Sequence, residues 1–168
     1  IRMAQVRPEL LDQQLRALLQ VAPLGRCRIL LPMVSEVDEL LQIRQRLDEL
    51  CVELALTERP ELGVMIEVPA AALMAEKLAE HADFLSIGTN DLSQYTLAMD
   101  RDHAGLAARV DALHPALLRL IAQTCIGAAK HGRWVGVCGA LASDPLATPV
   151  LVGLGVTELS VSPPQIGE

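Results

Sequence analysis

The stretch that decides the fold is GVMIEV at residues 63–68, followed after a helical segment by FLSIG at residues 84–88. Both runs are short, and neither shows a clear alternation of polar and apolar residues. Continuous apolar runs of this length are typical of parallel strands that are buried on both faces. The segment therefore predicts two parallel strands joined by a helix.

The same alternation of apolar runs and helical patterns extends in both directions along the chain. We predict strands at residues 28–33, 63–68, 84–88, 134–138 and 158–162. An amphipathic helix is expected from about residue 8 to residue 21, and the apolar stripe of the next helix is formed by Val37, Leu40, Leu41, Leu47, Cys51 and Leu54. Asp144-Pro145 predicts another helix start, with an aspartate N-cap and proline at the first helical position. This βαβα pattern indicates an α/β fold.

Two architectures share this alternation, the open doubly wound sheet and the closed (β/α)₈ barrel. The sequence has neither a Gly-x-Gly-x-x-Gly motif nor a Walker loop, which counts against the nucleotide-binding form of the open sheet. We therefore favour the barrel. A whole barrel needs about 250 residues and eight strands, whereas this chain has 168 residues. The prediction is a partial (β/α)₈ barrel that forms a single domain over residues 1–168.

Composition excludes several classes of function. The formal charge of −7 and the absence of a basic run disfavour nucleic acid and anionic membranes as partners. With Phe84, Tyr95 and Trp134 as the only aromatic residues, a surface that stacks on bases is also disfavoured. No apolar stretch reaches the length of a membrane span. The four cysteines are widely spaced, which favours free thiols in a reducing cytoplasm.

Polar side chains stand where three of the apolar runs end. Glu67 closes the run at residues 64–66, Asn90 and Asp91 follow residues 87–89, and Cys138 closes residues 135–137. In a barrel these positions are the carboxyl ends of strands, where active sites are assembled. Other interpretations stay open at this point: Glu67 could be solvated, Asn90 and Asp91 could cap a helix, and Cys138 could be a small apolar core residue. The pair Glu67 and Asp91 offers the oxygen ligands that Mg²⁺ prefers.

These residues lie within longer strings that resemble Enzyme I of the bacterial sugar phosphotransferase system. The strings are GVMIEVPAA at 63–71, FLSIGTNDLSQYTL at 84–97, Asp100-Arg101, and GVCG at 136–139, with LHP at 113–115 and SVSP at 160–163 as further matches. The resemblance covers essentially the whole chain, and a weaker form extends to pyruvate phosphate dikinases and phosphoenolpyruvate synthases. It implies a barrel of the phosphoenolpyruvate/pyruvate type.

The resemblance also implies roles for the candidate residues. Glu67 and Asp91 would hold Mg²⁺, Asn90 and Arg101 would bind the phosphate of phosphoenolpyruvate, and Cys138 would protonate the enolate. The rigid guanidinium of Arg101 suits a phosphate, and an ordinary thiol, with a pKa of about 8.5, is largely protonated at neutral pH. The phosphoryl group would pass to a histidine in an N-terminal phosphohistidine domain and on to the phosphocarrier protein HPr for sugar uptake, with release of pyruvate. Homo-oligomerisation is expected as well.

The sequence departs from this family at one position near the cysteine. Enzyme I usually has glutamate two residues beyond the catalytic cysteine, where this chain has Ala140. This change points to the fused multiphosphoryl transfer proteins of fructose uptake. Arg28 is interpreted as structural, and Arg2 matches no known substrate contact. His114 is interpreted as a residue that starts a helix.

The phosphorylated histidine is expected to lie outside these 168 residues, since His81, His103, His114 and His131 lack its Thr-Ser-His context. The chain is therefore expected to be inactive when isolated. Two alternatives remain: a Mg-dependent aldolase or lyase of the citrate-lyase type, which also stabilises an enolate, and an inactive dimerising module.

Overall fold

The computed structural model describes residues 6–21, 23–106 and 111–166, together with residues 2 and 109. Its centre is a parallel sheet in which the strand order follows the order along the chain. The strands are β1 (Arg28–Leu31), β2 (Glu61–Ile66), β3 (Phe84–Gly88), β4 (Val135–Cys138) and β5 (Glu158–Leu159). A doubly wound sheet reverses its strand order at a switch point. The unreversed order seen here is that of a barrel segment.

One helix precedes β1, and helices connect each strand to the next. They are α1 (Pro8–Leu18), α2 (Val37–Glu53), α3 (Pro69–Leu73), α4 (Ala75–His81), α5 (Thr89–Leu97), α6 (Pro115–Ala129) and α7 (Thr148–Gly153), with short 3₁₀ turns at Leu24–Arg26, Ala140–Ser143 and Pro163–Gln165. No helix among the described residues combines the length and apolar character that a membrane crossing requires.

The two faces of the sheet differ because side chains alternate along each strand. On the outer face, apolar strand residues are fully buried and form one cluster with the inward-facing residues of the helices. The residues of this face are Val64, Ile66, Leu85, Ile87, Val135 and Val137. On the inner face, Met65, Ser86 and Cys138 are only partly buried. The inner face is therefore the more open side of the sheet.

At the amino ends of the strands, an aromatic pair covers the inner face. Phe84 stacks on Trp134 with ring centroids 4.6 Å apart and an interplanar angle of 1°. Gly63 lies beneath this pair, and a Cβ on it would come within 2.4 Å of the Phe84 ring. Arg28 places its guanidinium 4.9 Å from the Trp134 ring centroid and donates to Glu61 at 2.6 Å. The structural role predicted for Arg28 agrees with these contacts.

Some local predictions were wrong in detail. Asp144 does not cap a helix at residue 145. Its side chain accepts from the Leu146 N–H at 2.9 Å to form a turn, and α7 begins at Thr148. In α2 the predicted stripe included Leu41 and Leu54, which are 37% and 38% exposed. The buried stripe instead uses Ile43 and Leu50, because successive residues of a helix are about 100° apart and Leu41 turns away from the sheet.

Candidate active site at the carboxyl ends of β2, β3 and β4

Three neighbouring strands bring the predicted site residues to one edge of the sheet. β2 and β3 are in register through Ile66 and Ile87, and β3 and β4 through Gly88 and Cys138. Glu67 directly follows β2, the first turn of α5 directly follows β3, and Cys138 is the last residue of β4. The parallel register therefore places Glu67, Asn90, Asp91 and Cys138 at the same end of adjacent strands.

Glu67 is buried, with 7% of its surface exposed. Its Oε1 accepts a hydrogen bond of 2.7 Å from the backbone N–H of Met33, which follows β1. Met33 has a φ of 55°, a left-handed conformation that costs a non-glycine residue about 1 kcal/mol or more. Oε2 accepts no hydrogen bond from the part of the chain that the structure describes. The interpretation of Glu67 as a solvated residue is wrong, and one carboxylate oxygen remains available.

Asp91 lies in the first turn of α5 but does not cap it. The N-cap position is occupied by Gly88, and no side chain of the described residues caps this helix. Asp91 Oδ2 lies 3.7 Å from Nη1 of Arg101, with both side chains partly exposed. The backbone N–H of Arg101 donates to Gln94 at 3.2 Å, which ties this segment to α5. An exposed pair at this distance is weak, so both side chains can exchange partners with a ligand.

The side-chain amide of Asn90 is oriented by a hydrogen bond with the backbone of Ala140. Its Oδ1 accepts a hydrogen bond of 3.0 Å from the backbone N–H of Ala140, beyond β4. Because that N–H can only donate, the oxygen of the amide must face it. The NH₂ group of Asn90 is therefore the part left to bind an anion. This bond also shows that Asn90 is not a helix cap.

Cys138 places its thiol on the inner face of the sheet, next to Met65 and Ile87. Its Sγ lies 3.7 Å from Sδ of Met65 and 3.6 Å from the carbonyl oxygen of Ile87. Burial raises the pKa of the thiol, a hydrogen bond with Ser86 lowers it, and the charges of Glu67 and Asp91 raise it further, so that the net pKa is above its ordinary value. Unlike Cys51 and Cys125, which are buried in the core, Cys138 faces the open inner side of the sheet.

The donor set fits a hard cation. Across the described ranges, no three His, Cys, Asp or Glu side chains form a metal-binding group. Glu67 and Asp91 are carboxylates and so offer oxygen ligands, and Oε2 of Glu67 accepts no hydrogen bond within those ranges. Mg²⁺ is commonly held by one or two carboxylates, while water and substrate oxygens complete its coordination. The residues present are compatible with that arrangement.

Sequence reasoning missed three residues that shape the site. Met65 and Ser86 contact or bond the thiol from the inner face, and alternation along β2 and β3 could have placed them there. Thr89, only 2% exposed, donates from its hydroxyl to the carbonyl oxygen of Cys138 at 2.8 Å. No pattern in the sequence indicates that contact. The prediction for His114 is confirmed, since its Nδ1 caps α6 by accepting from the Ala116 N–H.

Together, the unreversed parallel sheet and its acidic, thiol-bearing edge define a barrel-type protein with an enzyme-like site. The chain belongs to the family described as "PEP-utilising enzyme, PEP-binding domain", which matches residues 1–168. This confirms the resemblance inferred from the sequence motifs.

Curated relatives agree with this assignment. A multiphosphoryl transfer protein of Xanthomonas campestris pv. campestris is 55% identical over 161 residues, which are 95% of this chain and 19% of that protein. A multiphosphoryl transfer protein of Rhodobacter capsulatus is 47% identical, covering 99% of this chain and 20% of that protein. A phosphoenolpyruvate-protein phosphotransferase of Mycoplasma pneumoniae is 45% identical, covering 96% and 28%. The chain therefore spans less than a third of the length of these relatives.

Solved structures confirm the partial barrel. A citrate lyase from Burkholderia xenovorans LB400 matches with a TM-score of 0.74 at 20% identity, over 92% of this chain and 51% of that chain. An HpcH/HpaI aldolase/citrate lyase family protein from Burkholderia cenocepacia J2315 matches with a TM-score of 0.66 at 16% identity, over 92% and 63%. At these identities the likeness concerns the fold alone.

Proposed function

We propose that this chain is the phosphoenolpyruvate- and Mg²⁺-binding part of a phosphoenolpyruvate–protein phosphotransferase. The observation that carries the proposal is the convergence of Glu67, Asn90, Asp91 and Cys138 at the carboxyl ends of three adjacent strands. In this function the phosphoryl group passes to a histidine elsewhere in the longer protein and then to the phosphocarrier HPr for sugar uptake. Pyruvate is released.

The anionic end of the substrate needs local cations and donors, because the chain as a whole is negative. The NH₂ group of Asn90 donates to a phosphate oxygen, since the carbonyl oxygen of the same amide is engaged by Ala140. Arg101 leaves its loose pair with Asp91 and binds the phosphate with its planar guanidinium. That exchange frees Asp91 to act with Glu67 as a cation ligand.

Glu67 and Asp91 are the residues that would hold Mg²⁺. When bound, the cation supplies positive charge that stabilises the enolate formed as the phosphoryl group departs. The Met33 N–H fixes one oxygen of Glu67 and leaves Oε2 for this purpose.

Cys138 acts after phosphoryl transfer. Phosphoryl transfer breaks the O–P bond, and its electron pair remains on the enolate oxygen. The thiol then donates its proton to the methylene carbon, which becomes the methyl group of pyruvate. Solvent then returns a proton to the thiolate. The raised pKa keeps the thiol protonated at neutral pH, which is the form that an acid needs.

The same proposal covers location and assembly. A cytoplasmic protein is proposed because all four cysteines are free thiols and phosphoenolpyruvate is a metabolite of the cell interior. Self-association into a homo-oligomer is proposed from the resemblance to Enzyme I. Light scattering on the full-length protein tests this part, and a dispersed monomer at high concentration would contradict it.

The test of function uses the full-length protein that contains this chain. With ³²P-labelled phosphoenolpyruvate and Mg²⁺, we expect acid-labile, base-stable labelling of a histidine and release of one pyruvate per phosphoryl group transferred. A chelator should prevent both. Absence of labelling, together with cleavage of a hydroxy acid, would instead favour the aldolase or lyase alternative.

A further inference from the structure

The turn that follows the catalytic thiol has an unusual backbone and is tightly packed. Gly139 has a φ of +91°, a conformation that favours glycine. A Cβ on Gly139 would lie 2.7 Å from Thr89 Oγ1 and 2.9 Å from Asn90 Oδ1. The first two residues of α5 thus rest directly on the backbone of this turn, with no space for a side chain between them.

Two side-chain hydrogen bonds attach the turn to α5. The Thr89 hydroxyl donates to the carbonyl oxygen of Cys138 at 2.8 Å, and the Ala140 N–H donates to Asn90 Oδ1 at 3.0 Å. Thr89 is 2% exposed, so water does not compete for its bond. The two bonds bracket Gly139 and hold the backbone on each side of it.

From this geometry we infer that Thr89 is a positioning residue for Cys138. This inference rests on the proposed function. Thr89 is not a catalytic residue, because its hydroxyl is engaged by protein and it acts through the Cys138 backbone. By fixing that backbone to the start of α5, it holds the thiol at a constant distance from Asn90 and Asp91. A displacement of about 1 Å in such an arrangement can lower a rate about 100-fold.

The test compares Thr89→Val with Thr89→Ser in the full-length protein. Valine keeps the shape of threonine and removes the hydroxyl, whereas serine retains it. We expect kcat for pyruvate formation to fall about 10- to 100-fold in Thr89→Val, with KM for phosphoenolpyruvate changed by less than about threefold. Thr89→Ser should keep at least about a third of the wild-type kcat.

Thr124→Val is the matched control. Thr124 is also fully buried, and its hydroxyl donates to the Leu120 carbonyl at 2.9 Å within α6, away from the strand ends. The free energy of unfolding of Thr124→Val should fall by about as much as that of Thr89→Val, whereas kcat should stay at the wild-type value. A wild-type kcat in Thr89→Val would overturn the positioning role. So would a fall in kcat in Thr89→Ser or in Thr124→Val as large as the fall in Thr89→Val. Should Thr89→Val fail to fold, Thr89→Ala replaces it with the same expected loss.

A second measurement does not depend on turnover. In metal-free protein, iodoacetamide should alkylate Cys138 severalfold faster in Thr89→Val than in wild type or Thr89→Ser, because the released turn exposes the thiol. Mass spectrometry of the peptide that contains Cys138 reports the rate. If the wild-type protein formed no pyruvate, the proposed function would be wrong. Equal alkylation rates in wild type, Thr89→Val and Thr89→Ser would independently reject the positioning role of Thr89.

Discussion

The two ends of the parallel sheet use charged side chains in opposite ways. At the amino ends, Asp83 accepts from both Nη atoms of Arg44 at 2.9 Å and from the Leu62 N–H at 2.8 Å. Arg44 also donates to the His81 carbonyl at 2.8 Å. The carboxylate is thus neutralised by a nearly buried guanidinium and satisfied by hydrogen bonds.

At the carboxyl ends, the carboxylates are left incompletely paired. Within the described part of the chain, Glu67 is buried with a single hydrogen bond, from the Met33 N–H, and Asp91 has one loose ionic contact, of 3.7 Å with Arg101. Buried charge without a close counterion costs stability. The comparison shows that the carboxylate at one end of the sheet is fully paired, whereas the carboxylates at the other end are only loosely held. This difference is the one expected between the stabilising end and the active-site end of a barrel.

The largest effect is expected at the thiol. Cys138→Ala should lower pyruvate formation at least about 1,000-fold, since proton transfer loses its donor, while phosphoenolpyruvate binding changes little. Turnover and equilibrium binding are measured separately in the full-length protein. Cys27→Ala, which alters a partly buried thiol beside α1, is the control and should behave as wild type. A wild-type rate in Cys138→Ala would require another proton donor.

The next effect concerns the cation. Glu67→Gln and Asp91→Asn should each weaken Mn²⁺ binding by about 10- to 100-fold, because each removes a charged oxygen ligand. Titration followed by electron paramagnetic resonance measures the affinity. Glu61→Gln is the matched control, since Glu61 lies at the other end of β2 and pairs with Arg28. Equal affinities in Glu67→Gln and Glu61→Gln would rule out the proposed ligand.

Asp83→Asn tests the stabilising role of the ion pair at the amino ends of the strands. Loss of the charged acceptor should lower the free energy of unfolding by about 1–3 kcal/mol at neutral pH without affecting Mn²⁺ binding. Burial alone would raise the pKa of Asp83, but the bonds from Leu62 and Arg44 outweigh it and lower the pKa. The stabilisation is therefore present above the ordinary aspartate pKa and disappears as the pH falls through the lowered value. Denaturant unfolding at several pH values should show wild type and variant converging in acid.

The smallest effect is a shift in pH dependence. Because burial raises the pKa of Cys138 in the metal-free protein, alkylation of this thiol by iodoacetamide, which consumes the thiolate, should set in at a higher pH than for an ordinary thiol. Ser86→Ala removes the contact that lowers the pKa and should move the onset of alkylation further toward alkaline pH. Mass spectrometry of the peptide that contains Cys138 measures the alkylation rate of metal-free wild type and variant at each pH. A shift toward acid in Ser86→Ala would contradict the role assigned to this contact.

The sequence predicted the strand cores because burial on both faces requires continuous apolar runs. It predicted their ends less well. β1 stops at Leu31 rather than residue 33, since Pro32 has no N–H to donate and Met33 adopts a left-handed conformation. β2 begins at Glu61, two residues early, where it pairs with Arg28. Such limits depend on pairing between strands, which a single segment does not reveal.

The convergence of the candidate residues was predictable where a polar residue follows an apolar run, as at Glu67, Asp91 and Cys138, because parallel strands end at the same edge of a sheet. Thr89 was not, because its role depends on the register that brings Gly88 beside Cys138. The bond between Asn90 and Ala140 was equally hidden, since its donor is the backbone N–H of Ala140, which no pattern of side chains reveals. Contacts between loops require the folded sheet, not the pattern of one strand.

The most direct test is a crystal structure of the full-length protein with Mn²⁺ and oxalate, which resembles the enolate of pyruvate. Anomalous scattering locates the cation without ambiguity. We predict one peak coordinated by Glu67 and Asp91, at oxygen distances of about 2.0–2.3 Å, with oxalate completing the coordination on the side of the Cys138 thiol. A peak bound elsewhere, or Glu67 and Asp91 more than about 10 Å apart with no room for bridging waters, would contradict the shared site.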